Sequence, residues 1–226
     1  MGSEMCIRDR AKRLGISATT DKDDYNYSNS RAILVTSIQT IVNGHSYFGM
    51  RESGNYPIGS IIIDDVHACM DKITDQFMIK IDAETDAYKE LIAIFSSSLK
   101  DYNPKNYIDV VEMKDCRKNM LVPYWEWQRQ QDNIYRILSK YNNSKNATIY
   151  FGLPLIEGCL ETCDCIITAS AIEISPKGID LDKISSLEEA SRRIYMSATL
   201  ADDSVFVSAL GLSTEDMKNI ITPENA

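Results

Sequence analysis

The chain has no apolar run near the roughly 18 residues that a membrane-spanning helix needs. Nor does it open with a basic stretch followed by a long apolar one, the pattern of a secretory signal. A cytoplasmic setting is therefore the default expectation, with no membrane among the expected partners. Positive charge is not in excess: 24 Lys and Arg stand against 33 Asp and Glu, a formal net charge of −9. Domains that hold nucleic acid through overall electrostatics are basic, so any such contact here has to be local, or shared with another part. The absence of an internal repeat argues against a solenoid. What is present is the composition of an ordinary globular protein, and 226 residues suffice for one large domain or one domain with an insertion.

Six cysteines, Cys6, Cys69, Cys116, Cys159, Cys163 and Cys165, are expected to be reduced thiols in such a setting. The Cys-x₃-Cys-x-Cys spacing of residues 159–165 fits no common zinc or cluster template, which favours buried thiols over a metal site.

The first ten residues, MGSEMCIRDR, carry no pattern that suits a fold. They resemble the direct translation of a transposase-type sequencing adapter read as GTG-GGC-TCG-GAG-ATG-TGT-ATA-AGA-GAC-AG. On that reading Cys6 belongs to the adapter, protein sequence begins near Ala11, and the gene is cut at its 5′ side. The alternative is a native, disordered start.

From Ala11 onward, hydrophobic periodicity sets the expected elements. Ala11–Gly15 reads as the last turn of a helix with Gly15 just past its end. Asp21–Ser30 reads as a loop, Ala32–Thr36 as a strand buried on both faces, and Ser37–Asn43 as a short helix. Ser60–Ile63 reads as a buried parallel strand that delivers Asp64 and Asp65 at its C-terminal end, where open α/β sheets bind ligands. Cys69–Lys100 reads as largely helical, with Phe77, Ile81, Tyr88, Leu91, Ile92 and Phe95 as its stripe. Tyr107–Met113 is a candidate strand, and Tyr124–Tyr141 an amphipathic helix behind Pro123. Residues 146–160 suit a helix interrupted by Gly152 and Pro154. Cys165–Thr168, Ala171–Ile174 and Arg193–Met196 read as strands, and Ser186 as the cap of a short helix with Glu189. Helical starts are expected again at Ser204 and Ser213. Alternation of strands and helices favours an α/β fold with a mostly parallel sheet.

Three segments stand in a telling order: AILVTSIQT (residues 32–40), IIIDDVHA (61–68) and RRIYMSATLADDS (192–204). Together they resemble motifs Ib, II and III of the superfamily 2 DExH/DEAD-box helicases. The pairing of an apolar strand ending in two acids and a histidine with a later strand ending in Ser-Ala-Thr is the specific part. The resemblance implies a RecA-like P-loop NTPase core, incomplete here, with ATP and Mg²⁺ as cofactors. DNA or RNA would be the partner, joined by other subunits where such a motor works inside a restriction or defence system.

It also implies roles. Asp64 matches the aspartate that holds Mg²⁺, a hard cation suited to a fixed carboxylate. Asp65 stands where the family has Glu, the residue that orients the attacking water. Phosphoryl transfer depends on positioning, and a misplacement of about 1 Å can cost about 100-fold. With a side chain one methylene shorter, either the backbone compensates or hydrolysis is slow. His67, Ser197 and Thr199 match the residues that couple the ATP site to movement, Ser197 and Thr199 as small hydroxyls able to exchange hydrogen-bond partners. Thr36 and Ser37 match motif Ib, which touches a nucleic-acid phosphate. Plainer readings stand beside these: an acidic turn for Asp64-Asp65, a hydrogen-bonded histidine for His67, a helix cap for Ser197 and Thr199, and a strand-end residue for Thr36.

The long spacing between motifs II and III is similar to that of the iron–sulfur DExH helicases, which carry an arch-like insertion there, although their cluster cysteines precede motif II and these follow it. The expected organisation is residues 1–10 adapter-derived, 11–70 the first part of RecA-like domain 1, 71–162 a mainly helical insertion, and 163–226 the remainder of the domain. Trp125 and Trp127, with Arg129 nearby, suit a base-stacking platform or, alternatively, helix packing. No G-x-x-x-x-G-K-[ST] phosphate loop occurs in these 226 residues, and no second motor domain follows the Ser-Ala-Thr segment. The expectation is a fragment of an ATP-dependent helicase or translocase, inactive by itself. Two other readings stay open: a degenerate ATPase-like module that binds nucleic acid or protein, and a different P-loop ATPase, which gives no reason for Ser-Ala-Thr.

Overall fold

The computed structural model describes residues 2–50 and 57–197, together with positions 210, 212, 215 and 221. In chain order the elements are α1 (Gly2–Arg13), β1 (Ala18–Thr19), α2 (Tyr25–Ser28), β2 (Ile33–Leu34), α3 (Ile38–Ile41), β3 (Ser60–Ile63), α4 (Val66–Gln76), β4 (Ile79–Asp82), α5 (Asp86–Tyr102) and α6 (Pro104–Tyr107). A π-helical turn (Ile108–Glu112) leads to β5 (Asn119–Leu121), α7 (Tyr124–Arg129), α8 (Gln131–Lys140) and α9 (Ala147–Ile156). A 3₁₀ turn (Glu157–Thr162) then leads to β6 (Asp164–Thr168), β7 (Ala171–Ser175), a second 3₁₀ turn (Leu181–Lys183), α10 (Ser185–Glu188) and β8 (Arg192–Tyr195).

The fold is mixed α/β. Among the described residues it holds two two-stranded parallel sheets, β1-β2 and β3-β8, and one four-stranded antiparallel sheet in the order β4-β7-β6-β5. The largest sheet is thus antiparallel, where alternation of elements favoured a parallel one. Its strands come from residues 79–175, the stretch between the two parallel partners β3 and β8. An insertion closed at residue 162 would divide this sheet, because β6 and β7 pair with β5 and β4 rather than with β3. Residues 71–162 are mostly helical, as expected, but they also supply β4 and β5 to this sheet.

One apolar cluster joins Ile61, Ile63 and Val66 to Ile73 and Phe77 on α4, and onward to Ile79, Leu91, Phe95, Trp127, Leu138, Leu155 and Ile174. The cluster tells why several sequence expectations fail. Residues 79–82 form a strand because Ile79 and Ile81 bury while Lys80 and Asp82 face out, a period of two that overlaps the helical stripe read through Phe77 and Ile81. Residues 108–112 form a π turn instead of a strand. Asn103 Oδ1 accepts the Asn106 N–H (3.1 Å), with Pro104 at the first helical position, so helix is already under way when Ile108, Val110 and Val111 arrive. Ala32–Thr36 shrinks to two strand residues with Ile33 54 % exposed, so it is not a buried core strand. The loop expected at 21–30 contains the single turn α2, held by the Asp24 carboxylate accepting from the N–H groups of Asn26 (2.7 Å) and Tyr27 (3.2 Å). The capping position of α10 is Ile184; Ser186 lies inside the turn, buried, its Oγ without a hydrogen-bond partner.

Other expectations hold. Gly15 (φ +75°) follows α1 in the left-handed region, with Ile16 N–H donating to Ala11 O (2.9 Å) and Gly15 N–H to Lys12 O (3.1 Å), the paired bonds of a Schellman ending. The preceding residues, read as without structure, continue that helix back to Gly2, yet none of the side chains from Cys6 to Arg13 is buried. The amphipathic segment 124–141 is helical but breaks at Gln130 into α7 and α8. The helix over 147–156 keeps Pro154 inside it. The segments from Ser204 and Ser213 lie outside the described residues, apart from isolated positions. No helix among the described residues is long and apolar enough to cross a membrane.

Candidate functional site

β3 is built of three consecutive β-branched residues, Ile61, Ile62 and Ile63, which favour extended backbone. Ile61 and Ile63 are buried, whereas Ile62 on the opposite face is 60 % exposed. The strand is parallel, as its sequence suggested, but covered on one face only. Its partner β8 runs alongside with Ile61 opposite Arg193 and Ile63 opposite Tyr195. Pairing continues past both strand ends: Met196 N–H donates to Ile63 O (2.9 Å) and Val66 N–H to Met196 O (3.0 Å). Among the described residues β8 pairs with β3 alone.

That ladder fixes the two carboxylates at the strand's C-terminal end. Asp64 and Asp65 are both exposed. Asp64 Oδ1 accepts the N–H of Asp65 (3.1 Å), which restrains its side chain near the backbone turn. Asp65 takes φ 47°, ψ 63°, the left-handed region, a conformation that aspartate tolerates better than most residues. It turns the chain sharply from strand into α4, and the bonds on either side of it, at Ile63 O and Val66 N, hold it there.

His67 lies in the first turn of α4, half-buried, and its Nδ1 is 2.8 Å from Ser197 Oγ, the tautomer deciding which group donates. These residues are 130 positions apart in sequence, and the β3–β8 register is what makes them neighbours. Sequence reasoning placed Asp64, Asp65, His67 and Ser197 in one site, and the structure brings them together at the adjoining ends of two parallel strands. Thr199 lies outside the described residues.

Thr36 and Ser37 are both half-buried where β2 gives way to α3. Ser37 Oγ is 3.2 Å from Thr40 Oγ1. The described hydrogen bonds do not tie either residue to the acidic turn.

Cys69 is a neighbour that sequence reasoning left among the plain thiols. Its Sγ–H donates to the Asp64 carbonyl (3.4 Å), and its N–H to the Asp65 carbonyl (3.0 Å). Burial pushes the thiol up, and the charges of Asp65 and then Asp64 push it further. The signal that could have found it is spacing: the residue four after Asp65 lies one helical turn on, over the same spot. The remaining thiols are free. Cys163 and Cys165 are buried, as the spacing suggested. Burial and neighbouring Cys159 drive Cys163 up to about 12, and Cys165 is raised, first by burial and then by Cys163. Cys116 is exposed. Among the described residues no three His, Cys, Asp or Glu side chains gather as a metal site would require.

The two tryptophans separate. Trp127 is 2 % exposed, stacked on Phe95 (6.1 Å between centroids), with Nε1–H donating to Leu160 O (2.8 Å). Arg129 is taken up by Glu126 (2.5 Å) and Ser98 (2.6 Å). Trp127 is therefore a core residue and no part of a stacking platform; only Trp125 stays exposed.

Comparison with protein-family models, with curated proteins and with solved structures finds no match to this chain.

Proposed function

We propose that residues 11–70 and the strand leading to Ser197 belong to a RecA-like first motor domain of the DExH kind, taken from a protein that couples ATP hydrolysis to movement along, or unwinding of, DNA or RNA. A cytoplasmic setting goes with this reading. The observation that carries it is the His67–Ser197 contact across the paired ends of β3 and β8. An acidic turn alone gives no reason for its helix to hold a serine from a strand 130 residues away; a nucleotide switch read by a second motif does.

The donor set fits the implied cofactors in kind. Asp64 and Asp65 are oxygen donors at a parallel strand's C-terminal end, and Mg²⁺ is bound by one or two carboxylates plus waters and substrate phosphates, not by an all-protein cage. Asp64 would hold the ion, and the ion would neutralise charge on the transferred phosphoryl group. Asp65 would orient water, His67 and Ser197 would carry the state of the site to neighbouring parts, and Thr36 and Ser37 would meet a nucleic-acid phosphate. These 226 residues contain no phosphate loop with its lysine, so this chain by itself binds nucleotide weakly and does not turn it over.

The test is Mn²⁺–ATP added at millimolar level to the isotopically labelled chain. Paramagnetic broadening of amide signals should centre on residues 63–67 and 196–197 and vanish in Asp64→Asn. Broadening elsewhere, or broadening untouched by that substitution, removes the proposal. The shorter carboxylate of Asp65 favours a second reading, a degenerate ATPase-like module that binds nucleic acid or protein without hydrolysis. ATP-independent nucleic-acid binding, with no response at residues 63–67, would mark that case.

A further inference from the structure

Far along the chain from the acidic turn, the end of α5, strand β5 and the start of α7 enclose an open groove of about 440 Å³, within the range of ligand pockets. Its floor is Met120 and Val122, both 3 % exposed. Its walls are Tyr102, Tyr124 and Trp125, which are 60 %, 69 % and 51 % exposed. The Trp125 ring stands nearly perpendicular to both tyrosines: 77° at 5.5 Å from Tyr102, and 83° at 5.3 Å from Tyr124. Three large aromatic side chains exposed together are unusual on a surface with no task for them. All three side chains line the groove.

Charge decides against a polyanion as occupant. The charged lining residues are Lys177 and Asp164, 3.9 Å apart, so the groove carries no net positive charge, and the chain as a whole is at −9. Single-stranded nucleic acid asks for a basic track beside its stacking rings. Hydrogen-bonding capacity points the other way. Trp125 Nε1 is a donor only and makes none of the hydrogen bonds among the described residues. Asn103 spends its side-chain oxygen on the Asn106 N–H and keeps its amide hydrogens. Spare donors beside aromatic faces complement a chain that shows carbonyl oxygens, offers no N–H groups and presents flat apolar rings. Polyproline II segments have those properties, with little conformational entropy left to lose on binding. β5 is also the edge strand of its sheet, so the groove opens along a border where an extended chain can lie.

We infer that this groove is a docking site for an uncharged, proline-rich extended segment of a partner protein, with Trp125 as the central anchor. The experiment is fluorescence anisotropy of a labelled decaproline peptide titrated with the whole 226-residue chain, beside a labelled dodecathymidylate. Decaproline should bind, and Trp125→Ala should weaken it by about tenfold or more, as loss of a central aromatic anchor does. Trp125→Phe should recover part of the loss. Tyr135→Ala, which removes an exposed aromatic on α8 outside the groove, should change nothing. Raising salt from 50 to 500 mM should leave the peptide affinity within about twofold, unlike a phosphate-driven complex. Unchanged circular dichroism of Trp125→Ala secures the comparison. The inference is overturned if decaproline fails to bind the folded chain, if its binding ignores Trp125, or if the oligonucleotide alone binds in a Trp125-dependent, salt-sensitive way.

Discussion

Replacing Gly44 by alanine should destabilise the protein by about 2–3 kcal/mol, and the figure follows from what the new methyl group meets. A Cβ at Gly44 would lie 2.5 Å from the Phe151 carbonyl oxygen and 2.8 Å from both Cδ and Cγ of Pro154. Neither obstacle can step aside alone: the first is backbone, and the second is a ring closed onto backbone. Relief requires moving α9, whose Ile149, Leu153, Leu155 and Ile156 are all buried. Overpacking of this kind costs about 1–3 kcal/mol. The same displacement stretches the bond from Gly44 N–H to Phe151 O (2.8 Å), worth about 0.5–1.5 kcal/mol. Alanine gives back about 0.4–1 kcal/mol through a less flexible unfolded chain. Urea unfolding followed by far-ultraviolet circular dichroism should show a midpoint lower by about 1 M with an unchanged slope. Gly15→Ala is the counterpart. There nothing lies within 4 Å, but φ is +75°, so the cost of about 1 kcal/mol is conformational. It falls on a helix that buries no described side chain, so the global midpoint should not move. An unaltered midpoint for Gly44→Ala would mean that the loop before β3 is not seated on α9, and the argument would fail.

A double-mutant cycle of His67→Ala and Ser197→Ala, read by the same urea assay, should give a coupling of about 0.5–1.5 kcal/mol; zero coupling would mean that the contact is not made in solution. At Glu126, burial pushes the carboxyl up, but hydrogen bonds from Arg129, Ser98 and Gln130 and the Arg129 charge outweigh it and hold the group below its ordinary value. Its stabilisation is therefore full above the unfolded value near about 4.3 and is lost as pH falls through the lower folded one, so Glu126→Gln should flatten the acid limb of a melting-temperature profile below about pH 4.5. A limb unchanged by that substitution would contradict the assignment. Thiol labelling at pH 8 should modify the exposed Cys6 and Cys116 first and spare Cys163 and Cys165 until unfolding, as their burial and raised values demand; mass mapping of early labelling products checks the order.

The parts of the fold legible in the sequence are those where a local pattern and its burial agree. Ile61-Ile62-Ile63 followed by two acids read as a strand with carboxylates at its end, and Gly15 could be placed at a helix end because its φ requirement is local. Strand β4 was hidden because Ile79 and Ile81 also continue a helical stripe, and four residues are too few to separate the two periods. The side-by-side placing of β3 and β8 was expected from the motif resemblance alone, whereas the pairing within the four-stranded sheet was not readable. Nothing in residues 163–175 states that they turn back onto residues 79–82 and 119–121, since long-range pairing depends on the whole core. The division of the tryptophans was half legible. Trp127 shares a helical face with Ile134 and Leu138, at spacings of seven and eleven, and Trp125 does not. In the site, the acids, His67 and Ser197 were visible as motif residues, and Cys69 was missed because its role is proximity, not type.

The topology explains how the candidate site survives a long interruption between its halves. Residues 79–175 enter and leave side by side, since Ile79 and Ile174 are Cα partners in the antiparallel sheet. A segment whose ends already meet adds little closure entropy to the pairing of β3 with β8, and the cost rises only with the logarithm of loop length. The link between the two halves is α4. At its start Val66 is buried and its N–H is bonded to Met196; near its end Ile73 and Phe77 are buried. Gly152 lets α9 approach this end closely, its missing Cβ leaving room for Ile79 Cγ1 at 2.9 Å and for Gln76 O at 3.5 Å. An 11-residue helix is about 16 Å of stiff rod, and Asp65 and His67 sit at its far end. A shift of the inserted sheet can thus reach the contact between His67 and Ser197 through α4, because a close-packed interior of low compressibility transmits strain.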